Sequence, residues 1–325
     1  MARRKQDIER TPRMPATFQP LSHPTLQVKP PEGRQWIHEI KFDGYRFQLN
    51  VTGSVATWFT RNGLDWTDKL RSLSKAAALL DDCILDGELC AVNANGEPNF
   101  SALRSSLNRK MSGRLVYFVF DILWRGTEDV RPFALATRKK VLAQLLDAGG
   151  EELAKRIRYV DHFEGIAPTE LVAAACRMRL EGIVSKRLDE NYRAGRTAVW
   201  LKSKCRPSQE VVVGGWKAGP DGRFKGLLTG VYDRGELRYA GSLKNGFRDG
   251  DVRALRPKLK ALARQRTPFA GEQPRATGGD SLHFVEPELV AQAEIAEWTG
   301  SGRLRQASFK GMREDKAAAD VRREG

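Results

Sequence analysis

At 325 residues the chain is long enough for two domains, each with its own core. A composition of 41% hydrophobic and 29% charged residues suits a globular protein, and no run approaches the roughly 18 consecutive apolar residues of a membrane helix. The balance of 55 Lys and Arg against 40 Asp and Glu leaves a net charge of +15, which points to a polyanionic partner, nucleic acid ahead of an acidic membrane.

Residues 1–30 are proline-rich and basic and read as an extended lead-in. The opening MARRKQDIERTPRMP has no apolar stretch after its basic residues, so a cytoplasmic protein is expected rather than a secreted one. Tyr45, Phe47, Leu49 and Val51 then alternate with Arg46, Gln48 and Asn50, the period of a strand with one buried face. Trp36, His38, Ile40 and Phe42 alternate likewise, and Asp43-Gly44 between the two runs predicts a hairpin, because glycine tolerates positive φ. On this alternation Glu39, Lys41 and Asp43 share a face. Further strands are expected over 55–60, 83–92, 115–123, 182–186 and 199–204, and helices over 133–148 and 169–180, where Leu and Ala recur at three- and four-residue spacing. The mixture predicts an α+β domain with largely antiparallel sheets.

After Arg206-Pro207 the texture changes. Short strand candidates over 210–216, 226–232, 237–242 and 282–296 are separated by glycine turns, with one basic helix over 251–263 among them. That pattern suits a small barrel of the OB type, a fold often used to grip nucleic acid. The expected organisation is a lead-in over 1–20, a first domain over 21–207, a barrel over 208–317 and a frayed tail over 318–325. Four cysteines without a C-x-x-C pair and four scattered histidines give no reason to expect structural zinc.

Taken singly, the charged motifs have ordinary readings. Lys41 could be a hairpin lysine paired with neighbouring carboxylates, Phe120 in VYFVFDIL a core residue, Lys202 and Lys204 a solvated strand face, Glu88 part of a turn, and Arg313 to Lys316 a charged loop. The ordered set is more specific: HEIKFDGYR around Lys41, TRNGLDWT, LDGELC, VFDIL, EGIVSKR, WLKSK and SFKGMREDK, spread from His38 to Lys316. With these motifs the chain resembles the covalent nucleotidyltransferases, and among them the ATP-dependent DNA ligases, most closely the ligase portion of bacterial end-joining ligases and their stand-alone relatives.

The resemblance implies an ATP-grasp-like nucleotidyltransferase domain of antiparallel sheets and helices, followed by an OB-fold barrel. It implies that Lys41 attacks the α-phosphate of ATP, that AMP passes to a 5′-phosphate at a break in duplex DNA, and that the 3′-hydroxyl then expels AMP. The first step needs a neutral amine, and an ordinary lysine is neutral in only about one molecule in 2,500 at pH 7. Glu39 and Asp43 would push the other way. The counterweight would come from a bound Mg2+ or Mn2+ with Arg46, Lys202 and Lys204 near the phosphate.

Position by position, the resemblance places Glu39, Ile40 and Arg46 at the nucleotide, Arg61 at a phosphate or terminal hydroxyl, and Phe120 against adenine. Glu88 and Glu181 would hold ribose or the metal, Lys202 and Lys204 phosphate, and Arg313, Asp315 and Lys316 the departing pyrophosphate. Asp43 belongs to the catalytic motif itself. Two departures fall in the barrel: Ala307 stands where a proline is common, and Ser242 to Phe247 holds fewer small residues than usual. The implied partners are nicked or broken duplex DNA and a Ku-type end-binding protein, with a monomeric enzyme and no membrane. The competing classes are an RNA ligase or another covalent nucleotidyltransferase, and a non-catalytic DNA-binding scaffold. An NAD-dependent ligase fits neither the short lead-in nor the scattered cysteines.

Overall fold

The computed structural model describes residues 13–93, 103, 115–178, 180–205 and 208–324. The start of the expected lead-in, the Arg206-Pro207 boundary and Gly325 lie outside these. Two compact units part between Ser203 and Lys204.

The first unit is built on two sheets. One runs β1 (Ser22–Leu26), β11 (Gly195–Lys204), β10 (Gly182–Arg187), β2 (Trp36–Lys41) and β9 (His162–Phe163). The other runs β4 (Val55–Thr60), β3 (Tyr45–Thr52), β5 (Cys83–Ala91), β6 (Leu115–Arg125) and β7 (Glu128–Asp129), with β8 (Ile157–Tyr159) parallel to β6. Helices α1 (Arg71–Ala77), α2 (Leu135–Ala148) and α3 (Pro168–Arg177) accompany them. The apolar side of β3 enters a core with Trp58, Leu85, Leu142 and Tyr117. Its polar side is buried as well, with Arg46, Gln48 and Asn50 at most 9% exposed. The period-two pattern thus separates an apolar core from a polar interior face, not from solvent.

That difference follows from the turn at Asp43-Gly44, where the expected hairpin is absent. β2 and β3 belong to different sheets, and the chain crosses from one to the other there. Gly44 does not take a positive φ. It is needed for close approach, since a Cβ would lie 2.2 Å from the Leu89 carbonyl oxygen and 2.8 Å from Cys90 Sγ. A second difference is β1, a strand not predicted in the proline-rich first 30 residues, although it falls within the first domain as bounded from residue 21. Pro24 disguises it, yet the strand sits at the sheet edge, where a missing N–H is tolerated.

In the second unit β12 (Ser208–Ala218) lies between β13 (Phe224–Asp233) and β16 (Ser281–Glu294). β14 (Glu236–Leu243) extends the sheet beyond β13, while β15 (Ala263–Arg264) and β19 (Ser308–Met312) pair with β16. The sheet curls into a partly open barrel. Helix α4 (Asp249–Ala261) buries Leu255 and Leu259 and leaves its basic residues outside. In the turn at Ser242 to Phe247, a Cβ on Gly246 would meet the Phe309 carbonyl oxygen at 2.2 Å, so glycine is retained where β19 passes.

The closing residues are docked rather than frayed. Val321 is fully buried, and its carbonyl accepts the Tyr232 N–H at 2.9 Å. The buried Gln209 amide donates to the Arg322 carbonyl and accepts the Glu324 N–H, both at 2.9 Å. One amide thereby fixes two backbone groups of a segment too short and charged to announce itself.

Candidate active site

Lys41 ends β2, and the β2–β10 register sets it opposite Gly182, the residue after Glu181. Lys41 Nζ consequently lies 2.5 Å from Glu181 Oε2, and both side chains remain 20% exposed, within reach of a solution ligand. Burial favours the neutral amine, but Glu181, Glu88 and Asp43 outweigh it and hold the Lys41 pKa above the ordinary lysine value. A charge conflict at this lysine was expected from the sequence, with Glu39 and Asp43 as its sources; Asp43 does contribute, whereas Glu39 does not. The larger contributions come from Glu181, the residue preceding β10, and from Glu88 on β5.

Glu39 is committed elsewhere. Its two oxygens take Lys139 Nζ at 2.7 Å and Lys186 Nζ at 2.6 Å, with all three side chains at most 4% exposed. Lys139 also donates to the Val160 carbonyl at 2.8 Å. Burial, with Lys139 adding to it, lowers the Lys186 pKa despite Glu39. Burial also opposes the Lys139 charge, yet Glu39 and Tyr159 leave that pKa raised. Lys186 Nζ sits 4.4 Å from the Phe120 ring centre and 4.2 Å from that of Trp200, a cation held against aromatic faces.

Arg46 makes a two-pronged pair with Asp86, at 2.8 and 2.6 Å, and its guanidinium carbon lies 5.1 Å from the Phe120 ring centre. Tyr192 donates its hydroxyl to Asp86 at 2.6 Å. Burial opposes the Arg46 charge, but Asp86 more than offsets it, so the guanidinium stays protonated. Next to this pair, Asp121 and Arg138 form a second fork at 2.8 and 2.9 Å, both side chains fully buried. Burial would raise the Asp121 pKa; Arg138 and Lys186 bring it below the usual carboxylate value.

The structure thus gathers Lys41, Asp43, Glu88 and Glu181 around one amine, and Arg46, Phe120, Lys186 and Trp200 around one ring. Ile40, half-buried, sits opposite Ile183. Arg61 follows β4 in a turn closed by the Thr60 N–H to the Leu64 carbonyl at 2.8 Å. Lys202 lies on β11 opposite Leu26. Lys204 opens the second unit, where its ammonium meets Ser208 Oγ at 2.9 Å and Glu324 Oε2 at 3.1 Å. In that unit Arg313 forms a fork on the fully buried Asp315, at 3.0 and 2.8 Å, while Lys316 pairs with Glu210.

Asp86, Asp121 and Lys186 lie inside motifs quoted from the sequence but were given no role there, and Lys139 and Arg138 were not singled out. For the last two a signal was present as well: Arg138 and Lys139 stand with Leu135, Leu142, Leu145 and Leu146 on the buried face of α2. Charged residues at core spacing require buried partners. Among the described residues no group of three His, Cys, Asp or Glu forms a metal cage. Glu88 and Glu181 nevertheless fit a cation of the Mg2+ type, which binds one or two carboxylates and completes its shell with substrate phosphates and water.

Residues 16–204 match the family model described as ATP dependent DNA ligase domain, and residues 220–316 match the ATP dependent DNA ligase C terminal region. The chain is 36% identical over 328 residues to the multifunctional non-homologous end joining protein LigD of Pseudomonas aeruginosa, covering 98% of this chain and 38% of that protein. To LigD of Mycolicibacterium smegmatis it is 32% identical, covering 94% of this chain and 40% of the relative. It therefore spans about two fifths of the length of these curated relatives. Among solved structures, mycobacterial DNA ligase D complexed with ATP and MES superposes with a TM-score of 0.66 at 30% identity, covering 94% of this chain and 98% of that one. Its two-part plan, a nucleotidyltransferase domain with a C-terminal OB-fold domain, is the plan of this chain.

Proposed function

This chain belongs to the family of ATP-dependent DNA ligases, and we propose that it seals breaks in duplex DNA through an AMP carried on Lys41. The observation that carries this reading is a partly exposed lysine at the end of β2, inside K-x-D-G-x-R, with Glu181, Glu88 and Asp43 around it.

In the first step Lys41 Nζ forms a bond to the α-phosphorus of ATP as the bond to pyrophosphate breaks. AMP then passes to the 5′-phosphate at the break. Attack of the 3′-hydroxyl on that phosphate forms the phosphodiester and releases AMP. Glu88 and Glu181 would hold a divalent cation, Mg2+ or Mn2+, which when bound supplies positive charge to the reacting phosphate. With Glu181 drawn from Lys41, the first of the carboxylates that keep the amine charged is lost, while burial, which favours the neutral nucleophile, remains.

The remaining residues act by binding and orienting. Arg46, locked by Asp86, offers its remaining donors to the nucleotide. Phe120 stacks on adenine, backed by Lys186, which Glu39 holds in place; Ile40 lines the same region. Arg61, Lys202 and Lys204 contact phosphates, Asp43 steadies the Lys41 turn, and Arg313, Asp315 and Lys316 orient the departing pyrophosphate. The names of the LigD relatives support an end-joining context; broken duplex DNA as substrate, a Ku-type end-binding protein as partner and a monomeric enzyme complete the proposal. No described helix is long and apolar enough to cross a membrane.

The test is sealing of a nicked duplex that carries a 5′-phosphate, in ATP and Mg2+. The parent joins the strands, while Lys41→Ala and a nick lacking the 5′-phosphate give no product. A parent that leaves the nick open with ATP but closes it with NAD or GTP contradicts the proposal.

A further inference from the structure

The second unit holds a cleft lined by none of the residues assigned above to adenylation or sealing. Its volume is about 470 Å³, and it lies between α4 and the ends of β12, β13 and β16. One side is aromatic. Trp216 on β12 stacks on His283, its direct neighbour on β16, with ring centres 4.3 Å apart and planes 15° from parallel. Phe224 continues the array 6.2 Å from Trp216 at 19°. His283 is exposed, and Trp216, Phe224 and Phe284 are only half-buried.

The other side is cationic. Arg256 and Lys260 lie one helical turn apart on the outer surface of α4, and Arg264 follows it. Arg264 is paired with Glu286 at 3.0 Å, whereas Arg256 and Lys260 have no ion-pair partner among the described residues. Among the described residues no carboxylate lines the cleft.

These two walls ask for different things of a ligand. Unpaired cations fit phosphates but leave uncovered the exposed parts of rings whose other sides pack on the barrel core, and a duplex keeps its base faces inside its own stack. A flexible strand with free bases satisfies both walls, because base–aromatic stacking and a basic track are the two components of single-strand binding. The volume is ample for a flat base.

We propose that this cleft binds unpaired bases of single-stranded DNA, with bases against Trp216 and Phe224 and phosphates on Arg256 and Lys260. The site goes beyond joining at a break and would hold an overhang or a frayed strand next to one. It rests on the ligase reading only in taking DNA as the polyanion.

The experiment uses the full chain and two labelled probes of equal length and charge, a thymidine oligonucleotide of about 12 residues and its abasic counterpart. The parent is expected to bind the thymidine probe about tenfold more tightly than the abasic one. Trp216→Ala removes that preference while keeping the abasic affinity, and the double change Arg256→Glu with Lys260→Glu weakens thymidine binding at least tenfold. Circular dichroism melts report folding. Should Trp216→Ala fail to fold, the surface double variant and the probe comparison still decide. Equal binding of both probes by the parent marks a phosphate-only surface, and binding of neither removes single-stranded DNA as the occupant; either result overturns the proposal. So does a preference that survives in folded Trp216→Ala, or thymidine binding unchanged in the double variant. Nick sealing by the parent is scored in parallel, so its failure strikes the ligase reading and leaves the probe comparison to be judged alone.

Discussion

Glu181→Gln should make Lys41 more reactive in the nucleotide-free protein. Burial pulls the Lys41 pKa down, and Glu181 is the first of the carboxylates that more than compensate. A charge-assisted hydrogen bond contributes roughly 1.5–3 kcal/mol. With both side chains 20% exposed, solvent screening places this pair in the lower part of that range, roughly 1.5–2 kcal/mol. At 1.36 kcal/mol per pK unit, this corresponds to roughly ten- to thirtyfold more neutral amine at a given pH. The assay is labelling by an amine-specific reagent on fully deadenylated, metal-free protein, with the Lys41 peptide quantified by mass spectrometry between about pH 8 and about pH 11.5 so that the lysine midpoint is spanned. The variant should react faster by that factor, with its midpoint displaced downward by about one pH unit. Glutamine has nearly the shape of glutamate, so a change in access would not produce the displacement. Equal rates and midpoints in parent and variant would refute the idea that Glu181 holds this amine protonated.

Glu39→Gln should lower thermal stability, since it leaves Lys139 and Lys186 buried without their shared carboxylate. Breaking a buried pair costs roughly 3–5 kcal/mol, and a fall in Tm of roughly 6–20 °C is expected for a unit of this size. A melt within 2 °C of the parent, taking about 2–4 °C per kcal/mol as the scale, would sink that account. Gly44→Ala should cost about 1–3 kcal/mol by overpacking, because the new Cβ meets the backbone of Leu89. Gly250→Ala, with open space around it in α4, should melt at or above the parent temperature. His38, buried beside Ser185, has its pKa lowered by desolvation. The unfolded chain then binds the extra proton first, so stability should fall as pH drops below about 6.5, by at most about 1.4 kcal/mol per pH unit. Denaturant titrations of parent and His38→Gln across that range check the sign; equal slopes would remove His38 from the explanation.

The chemistry-bearing residues were legible because their charges interrupt strands that otherwise alternate. Lys41 before Asp43-Gly44, Glu88 after Asp86-Gly87 and Glu181 before Gly182 can be seen in order along the chain. The partners of these groups were much less legible. Alternation tells which residues share a face of one strand, but not that β2 and β3 enter different sheets. Glu39 could therefore be placed beside Lys41 on β2, yet its pairing with Lys139 from a helix and Lys186 from β10 depends on contacts distant in sequence. The helix did carry a hint in the two cations among its apolar positions. The docked end carried none, since a buried glutamine binding backbone groups leaves no periodic trace.

The most direct test of the central claim is the intact mass of deadenylated protein after incubation with ATP and Mg2+, beside Lys41→Ala. The account predicts a gain of one AMP in the parent and none in the variant, with the adduct mapped to the Lys41 peptide. An adduct on another residue, or equal gain in the variant, would contradict the assignment of Lys41 as nucleophile.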